Sequence, residues 1–274
     1  MLTLTRLDSH PVPLEAECIR PDTLSALDLA NISRLTVWHG KNKAELGEFF
    51  TVTGSASDGQ VVLKGDCSRV KLVGSGMTAG LLRVEGPIGM HTGSGMRGGT
   101  IRIEGDADDW LGAEMFGGTI AVTGNAGHHV GAAYRGALRG MRGGEIIILG
   151  SVGDELASTM RRGLIVVAGD TGVFPGINLL AGTVVVLGRP GLRPGAAMRR
   201  GSLVFPHHRP ELLPTFRCAG PLDSVFPALY FRHLEKMEKR LQLGPAFRLK
   251  PWKQLTRHSG DHVTLGKGEI LCPP

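Results

Sequence analysis

Residues 144–200 read GEIIILGSVGDELASTMRR, GLIVVAGDTGVFPGINLLA and GTVVVLGRPGLRPGAAMRR, three segments of 19 residues with one shared pattern. Each segment opens with glycine, alternates aliphatic residues, turns at a second glycine and carries a large apolar residue near its end. The pattern extends over residues 59–205, where the opening glycines are Gly59, Gly80, Gly99, Gly118, Gly144, Gly163, Gly182 and Gly201. Most of the spacings between them are 19 residues, so this segment is an internal repeat.

The alternation predicts one β-strand per repeat. Apolar residues stand at the third and fifth positions of every unit, as Ile101 and Ile103 do, which is typical of a strand with one buried face. One unit cannot bury that face alone, whereas equivalent strands stacked about 4.8 Å apart can. We therefore predict an all-β fold, a right-handed parallel β-helix of about seven coils. A row of mainly methionine fills its interior: Met77, Met96, Met115, Tyr134 or Met141, Met160, Leu179 and Met198.

The flanking segments lack the regular repeat. We expect an N-terminal cap over residues 1–58, the repeat domain over 59–205 and an extended and helical docking segment over 206–274. Within the cap, residues 48–54 resemble a degenerate first coil. The docking segment contains a predicted helix from Asp223 to Leu243 that ends at Gly244–Pro245. The apolar stripe of this helix consists of Leu234, Met237 and Leu241.

The composition excludes several classes of protein. Glycine makes up 41 of 274 residues without a G-X-Y period, so the chain is not collagen-like, and 42% hydrophobic residues are enough for a core. The four cysteines, Cys18, Cys67, Cys218 and Cys272, form no CxxC motif. We expect a cytoplasmic protein without a signal peptide, a membrane span or a nucleic-acid partner.

The second half of the chain is basic. Residues 130–274 hold 20 Lys and Arg against 10 Asp and Glu, whereas residues 1–129 hold 11 against 15. Arginines recur just after the methionine position of successive units: Arg97, Arg142, Arg161, Arg162, Arg199 and Arg200. Stacking would place most of them in one column, where they repel one another unless a partner's carboxylates or a polyanionic small molecule lie alongside. Solvated, salt-screened side chains are the alternative interpretation.

The outward face of the predicted strands changes from polar to apolar along the repeat. Arg83 and Arg102 occupy it in the early units. The later units place aliphatic residues there: Ile147, Leu149, Val166, Val185, Leu187 and Val204. A monomer seldom exposes an apolar patch of this size. Either the C-terminal segment folds back over it or another subunit docks there, and these six residues are our partner-interface candidates.

The sequence contains possible motifs for nucleotide or metal binding, but the residues around them do not fit such sites. Residues 93–98, GSGMRG, match a dinucleotide-binding fingerprint, but a predicted strand follows where that site requires a helix, so we interpret them as a corner of the fold. His128–His129 and His207–His208 lack further residues at ligand spacing, and residues 106–109 are typical of an Asp-rich turn. We predict no catalytic residue and no metal site.

The units GTIRIEGDADDWLGAEMFGG and GLIVVAGDTGVFPGINLLAGTVVVLG resemble a known repeat domain. It is shared by the C-terminal β-helix of glutamate synthase large subunits and by the C subunit of formylmethanofuran dehydrogenase. A chain of 274 residues leaves no room for the amidotransferase and flavin domains of a glutamate synthase. The length and the Pro-rich, then helical, tail are similar to the C subunit, in its bacterial version from the formyltransferase/hydrolase complex of methylotrophs.

That resemblance implies a non-catalytic assembly subunit. The complex transfers a formyl group from formyl-tetrahydromethanopterin to a methanofuran-type carrier and hydrolyses it to formate, with the chemistry on hydrolase and formyltransferase subunits. This chain would bind no cofactor of its own, although its basic arginines could hold the carrier's glutamate-rich tail or an acidic subunit. Two alternatives stay open: the C subunit of an archaeal-type formylmethanofuran dehydrogenase, and a stand-alone carbohydrate-active β-helix protein. The second would need a carboxylate or aromatic row on one face of the β-helix, and Trp38, Trp110 and Trp252 do not repeat.

Overall fold

The repeat strands lie side by side in one sheet of 13 strands. The computed structural model describes residues 1–8, 11–241, 243, 247, 252 and 254–274. Its elements in chain order are β1 (Leu2–Arg6), β2 (Leu14–Glu15), α1 (Pro21–Leu24), α2 (Leu29–Ser33), β3 (Thr36–His39), β4 (Asn42–Glu45), a 3-10 helix (Leu46–Glu48), β5 (Phe50–Gly54), β6 (Gln60–Lys64), β7 (Val70–Lys71), β8 (Leu81–Glu85), β9 (Thr100–Ile103), β10 (Thr119–Val122), β11 (Arg142–Ile148), β12 (Arg162–Val167), β13 (Thr183–Val186), β14 (Arg200–Val204), β15 (Arg217–Pro221), α3 (Phe226–Leu241), β16 (Thr256–Gly260) and β17 (Lys267–Cys272). The mostly-β fold predicted from the alternation is confirmed.

Successive repeat strands pair in parallel and in register. Strand β6 pairs with β8, and the pairing continues strand by strand to β14. Equivalent residues therefore stand in straight rows, as Ile101, Ile120, Ile146, Ile165 and Val184 do across five strands. The longer unit that begins at Gly118 keeps this register, because its extra residues lie between the strands.

A second parallel row runs beside the first. Isolated bridges join one residue of each unit to its equivalent in the next: Cys67, Ile88, Ala107, Ala126, Val152 and Thr171. Each of these six units thus contributes to two parallel ladders, one from its strand and one from the turn that follows. Backbone bonds add a third series at the methionine positions, where the amide of Arg97 donates to the carbonyl of Met77 and that of Arg161 to Met141.

The predicted apolar row fills the space behind the strands. All of its members are fully buried: Met77, Met96, Met115, Met141, Met160, Leu179 and Met198. In the longer unit the buried residue is Met141, whereas Tyr134 is half-buried at the start of the extra residues. The flexible methionine side chain reaches the core from the end of that longer segment.

The N-terminal end of the sheet differs from the expected degenerate coil at residues 48–54. Strand β1 takes that place, because it pairs in parallel with β6 and buries Leu2 and Leu4. Strand β5 lies outside it as an antiparallel edge. A smaller sheet of order β4-β3-β2-β7, together with α1 and α2, packs nearby. The carboxylate of Asp28 caps α2 by accepting a hydrogen bond from the amide of Asn31 at 2.8 Å.

The C-terminal segment returns to the repeat, which the sequence pattern did not predict. Strand β17 pairs in parallel with β14, so Gly268 lies opposite Gly201 and Ile270 opposite Leu203. Strands β16 and β15 then continue the sheet in antiparallel pairing. Residues 268–272, GEILC, resemble the strand of a unit, but the long separation from Gly201 hides them from a search for a constant period.

Helix α3 begins and ends slightly inside the predicted bounds of Asp223 and Leu243. Its buried residues are the predicted stripe of Leu234, Met237 and Leu241. The predicted end at Gly244–Pro245 lies outside the described residues. Among the helices that the structure describes, none has the length and apolar content needed to cross a membrane.

We predict that glycine is required at positions where the backbone of the previous unit lies too close to the Cα atom to leave room for a side chain. A Cβ on Gly105 would lie 2.5 Å from the backbone carbon of Gly86 and 2.9 Å from the nitrogen of Pro87. The Gly105→Val variant should lose about 2–4 kcal/mol of unfolding free energy, measured by chemical denaturation, because backbone atoms cannot move aside.

The control is Gly95→Asn, whose Cβ would meet nothing within 4 Å. Its backbone has φ +62°, and Asn178 occupies the equivalent corner two units after the longer one at φ +55°. This variant should stay within about 1 kcal/mol of wild type. Equal losses from both substitutions would contradict the close-approach explanation.

Candidate interaction surfaces

The chain itself covers the apolar outer face of the later strands. Ile147, Val166, Val185 and Val204 are fully buried against the stripe of α3. Leu187 belongs to the same cluster, and half-buried Leu149 packs at its margin. Of the two possible covers, the structure therefore shows the C-terminal segment. Five of the six partner-interface candidates are thus covered by α3, Leu255 and Leu271, while Leu149 stays partly exposed at the margin.

Polar contacts fix the position of α3 over the sheet. Glu145, in the middle of β11, accepts hydrogen bonds from His233 Nε2 at 2.8 Å and from Arg240 Nη2 at 2.5 Å. The hydroxyls of Tyr230 and Thr183 are 2.8 Å apart. A groove of about 430 Å³ remains between the helix and the sheet, lined by Leu164, Leu229 and Tyr230 among others. Helix α3 is therefore held by two kinds of contact, apolar in the middle and charged at its edge.

The predicted arginine column is interrupted. Phe116 occupies the column position between Arg97 and Arg142, whose guanidinium carbons lie 4.4 and 4.6 Å from its ring centroid. Arg142 also pairs with Glu114 at 3.8 Å. An aromatic ring thus separates these two arginines, which relieves the repulsion expected from the sequence.

The remaining arginines of the column stay exposed. Arg161 and Arg162 end one unit, and Arg199 and Arg200 end another two units later, with Leu180 between the two pairs. Within the part of the chain that the structure describes, their guanidinium groups have no ion-pair partner. The structure therefore divides the predicted column into a stacked part and an open part.

Polar side chains at the turns hold neighbouring coils together. Asp106 accepts a hydrogen bond from the amide of Asn125 at 2.7 Å, and Asn125 in turn accepts from the amide of Ser151 at 2.9 Å. In a second series of hydrogen bonds, Asp109 accepts from the amide of His128, and His128 Nδ1 accepts from the amide of Asp154. The Asp-rich turn is thus a hydrogen-bonding ladder, and His128 serves as one of its acceptors.

An aromatic stack on one corner was not predicted from the sequence. His91, Trp110 and His129 occupy equivalent positions in three successive units, each with a positive φ near 60°. Trp110 stacks on His129 with ring centroids 4.3 Å apart, and Tyr134 places its hydroxyl 3.0 Å from His91 Nδ1. Leu72, Glu155, Phe174 and Arg193 continue the position in other units, so the mixture of residue types concealed the row.

The described residues bring together no arrangement for nucleophilic or metal chemistry. None of their His, Cys, Asp and Glu side chains form a group of three that could hold a metal ion. Burial raises the pKa of Cys67 to about 12 and of Cys18 to about 11, which keeps both thiols protonated at neutral pH. The glycine motif at residues 93–98 forms a corner, since Gly93 packs against the side chain of Ile120 and strand β9 follows directly.

The chain is similar to a chain in a solved multisubunit complex. The crystal structure of the formyltransferase/hydrolase complex from Methylorubrum extorquens, in complex with methylofuran, contains a chain that superimposes with a TM-score of 0.89. The two chains are 36% identical, and the match covers 99% of each.

Curated relatives share a shorter part of the sequence. The C subunit of the molybdenum-containing formylmethanofuran dehydrogenase 1 from Methanothermobacter marburgensis is 44% identical over 80 residues, which are 29% of this chain and 20% of that protein. The C subunit of the tungsten-containing enzyme 2 from Methanothermobacter thermautotrophicus is 36% identical over 94 residues, 33% of this chain and 35% of the relative. These matches therefore span about a third or less of the relatives' length. No protein-family model matches the chain.

We predict that α3 is anchored by its buried stripe. Truncating fully buried Leu234 to alanine should lower the unfolding free energy by about 2–4 kcal/mol, because a cavity opens between the helix and the apolar outer face of the sheet. The control is Leu229→Ala on the same helix, since Leu229 is 58% exposed and its truncation should cost less than about 1 kcal/mol. Similar losses in urea denaturation would show that the helix is not held by its stripe.

We also predict a pH-dependent contribution from the aromatic stack. Burial, with a smaller contribution from Lys71, holds the pKa of His91 below its ordinary value of 6.5. The unfolded chain therefore binds a proton near pH 6.5 that the folded chain does not, so the unfolding free energy should fall as the pH drops below 6.5.

His91→Leu should flatten that slope, measured by denaturation at several pH values from neutral to mildly acidic. Leucine is compatible with the backbone, because Leu72 holds the equivalent position at φ 64°. His258 in β16 leaves a residual slope of the same sign, since burial lowers its pKa as well. An unchanged slope in the variant would rule out His91 as the titrating group.

Proposed function

The chain belongs to the family formed by the C subunits of formylmethanofuran dehydrogenases and of the related formyltransferase/hydrolase complexes, and from that membership we propose that it is the scaffold subunit of a formyltransferase/hydrolase complex. The observation that carries this proposal is the match over 99% of both chains with a chain of that complex. The shorter matches to the molybdenum and tungsten dehydrogenases concern only a third or less of those proteins. The full-length match therefore favours the hydrolytic complex over the redox one.

In this proposal the complex moves a formyl group from formyl-tetrahydromethanopterin to a methanofuran-type carrier and releases it as formate. The hydrolase and formyltransferase subunits carry out both reactions in the cytoplasm, and this chain positions them. Support comes from the use of its own polar residues. Asp106, Asp109, Asn125 and His128 each accept a backbone hydrogen bond from the next coil, and Glu145 is occupied by α3. Side chains engaged in this way are structural supports rather than acids, bases or ligands.

We further propose that residues 59–205 form a right-handed parallel β-helix, with residues 1–58 as its cap and residues 206–274 as a segment that covers and extends it. The parallel ladders at strands and turns support this arrangement. Right-handed connections are the rule between parallel strands of one sheet. Seven coils about 4.8 Å apart would give a stack of about 34 Å, a length suited to contacts with more than one partner.

The test is co-expression of this chain with the hydrolase and formyltransferase subunits of its own complex, followed by native mass spectrometry. We expect a stoichiometric assembly that contains this chain, and no formyl-transfer or hydrolysis activity from this chain alone. Omitting it should reduce the yield of the assembly. A chain that stays monomeric in the presence of those subunits, or that hydrolyses the formyl carrier by itself, would overturn the proposal.

A further inference from the structure

Cations on the strand face of the early units are paired with carboxylates of the chain itself. Arg83 forms a two-point contact with Glu104, at 3.0 and 2.9 Å, and also approaches Glu85. Lys64 pairs with Glu85 at 3.6 Å, and Arg102 pairs with Glu104 at 3.4 Å. These three cations share the carboxylates of Glu85 and Glu104, so each of them has a carboxylate partner within the chain.

A second group of cations lacks such partners. We call it the basic corner, and it comprises Arg161, Arg162, Arg199, Arg200 and Lys267. All five side chains are exposed, and among the described residues none of them has an ion pair. The residues outside the described ranges include no aspartate or glutamate, so the rest of this chain offers no further carboxylate.

The stacking of coils sets the spacing of these charges. Arg200 lies opposite Lys267 in the pairing of β14 with β17. Arg161 and Arg199 occupy equivalent positions two units apart, because their amides donate to the carbonyls of Met141 and Leu179 in the preceding units. Two inter-strand distances amount to about 9.6 Å. A segment in the extended polyproline II conformation advances about 3.1 Å per residue with three residues per turn, so carboxylates three residues apart would lie on one face about 9.3 Å apart and match that spacing.

The carboxylates beside the basic corner are already engaged. Asp261 is buried and accepts hydrogen bonds from the amides of Ala197 and Val263, at 2.9 and 3.1 Å. Glu269 accepts a hydrogen bond from the hydroxyl of Ser202 at 2.6 Å and lies 3.7 Å from Arg257. Neither of them neutralises the basic corner, which keeps its positive charge.

An exposed apolar pair stands next to the basic corner. Residues 261–266 connect β16 to β17, and the hydroxyl of Thr264 donates to the carbonyl of Met198 at 2.6 Å. In earlier units a backbone amide of the next coil bonds the equivalent carbonyl, so this connection replaces the missing coil. It presents Val263 and Leu265, which are 71% and 47% exposed. The bond to Met198 anchors this connection beside Arg199, so the apolar pair and the charges belong to one surface.

We propose that the basic corner and the adjoining pair of Val263 and Leu265 dock an extended acidic segment of a partner subunit. The unpaired guanidinium groups bind its carboxylates, and the apolar pair packs against a side chain between them. This inference rests on the proposed function, since it names the surface that a subunit of the same complex would use. Arg97 and Arg142 are not counted in this surface, because both stack on Phe116, and Arg142, which lies opposite Arg162 in the pairing of β11 with β12, also pairs with Glu114.

The experiment uses the co-expressed complex and measures the dissociation constant of this chain from the assembled hydrolase and formyltransferase subunits at several salt concentrations. Arg199→Glu/Arg200→Glu should weaken association by about tenfold or more, with a shallower salt dependence. Val263→Ser/Leu265→Ser should weaken it while leaving the salt dependence unchanged. The matched control is Lys236→Glu/Lys239→Glu on the exposed side of α3, which changes the net charge equally and should not affect association. All variants alter exposed residues, and thermal denaturation confirms that each is folded.

Each other outcome overturns the inference. Unchanged association of the Arg199→Glu/Arg200→Glu variant, or an equal loss in the lysine control, shows that this surface is not the docking site. A parallel experiment measures the binding of fluorescein-labelled hexaglutamate, which represents a free polyanion. If the arginine variant loses affinity for hexaglutamate while the complex assembles normally, the corner binds a small polyanion instead. Failure of the wild-type chain to assemble at all refutes the proposed function, and the docking surface with it.

Discussion

The whole sheet depends on the close approach of each coil to the opening glycine of the next one. A Cβ on Gly99 would lie 2.6 Å from the methyl group of Met77 and 2.8 Å from the carbonyl oxygen of Gly80. The same pair of neighbours, a methionine methyl and a backbone carbonyl, surrounds Gly118 and Gly144. These glycines also have positive φ, which L-residues with side chains rarely adopt. Glycine and methionine therefore act together, because the space left by the missing Cβ is filled by the long side chain of the previous coil.

This contact explains why much of the fold could be predicted from the sequence. Its two requirements recur with a fixed period, so the order of residues alone reveals both the strands and their register. The row of Ile101, Ile120 and Ile146 follows from that register. Where contacts are not periodic, the sequence did not predict which strands lie next to the repeat. Strand β17 rejoins the sheet from far along the chain, and β1 rather than residues 48–54 precedes β6.

The candidate surfaces were less predictable than the fold, for a physical reason. A period fixes which residues share a position but not what the neighbouring residue types do to one another. Phe116 separates Arg97 from Arg142, although all three hold equivalent positions, and so converts part of a repulsive column into a stack. For the apolar outer face, the sequence showed that a cover is needed but not which segment provides it. The choice between α3 and a partner depended on contacts such as Glu145 with His233 and Arg240.

The two ends of the sheet restrict where partners can bind. A stack of parallel coils exposes unpaired backbone groups at each end, and such edges invite further strands. Here both ends finish in antiparallel strands, β5 beside β1 and β15 beside β16. The outer strand β15 also contains Gly220 and Pro221, and proline cannot donate a backbone hydrogen bond. Addition of a further strand beside β15 is therefore disfavoured, while α3 covers the outer face of the later strands. The corners remain, and among them the unpaired charges of Arg161, Arg162, Arg199 and Arg200 distinguish one that attracts an acidic partner from those whose side chains satisfy one another.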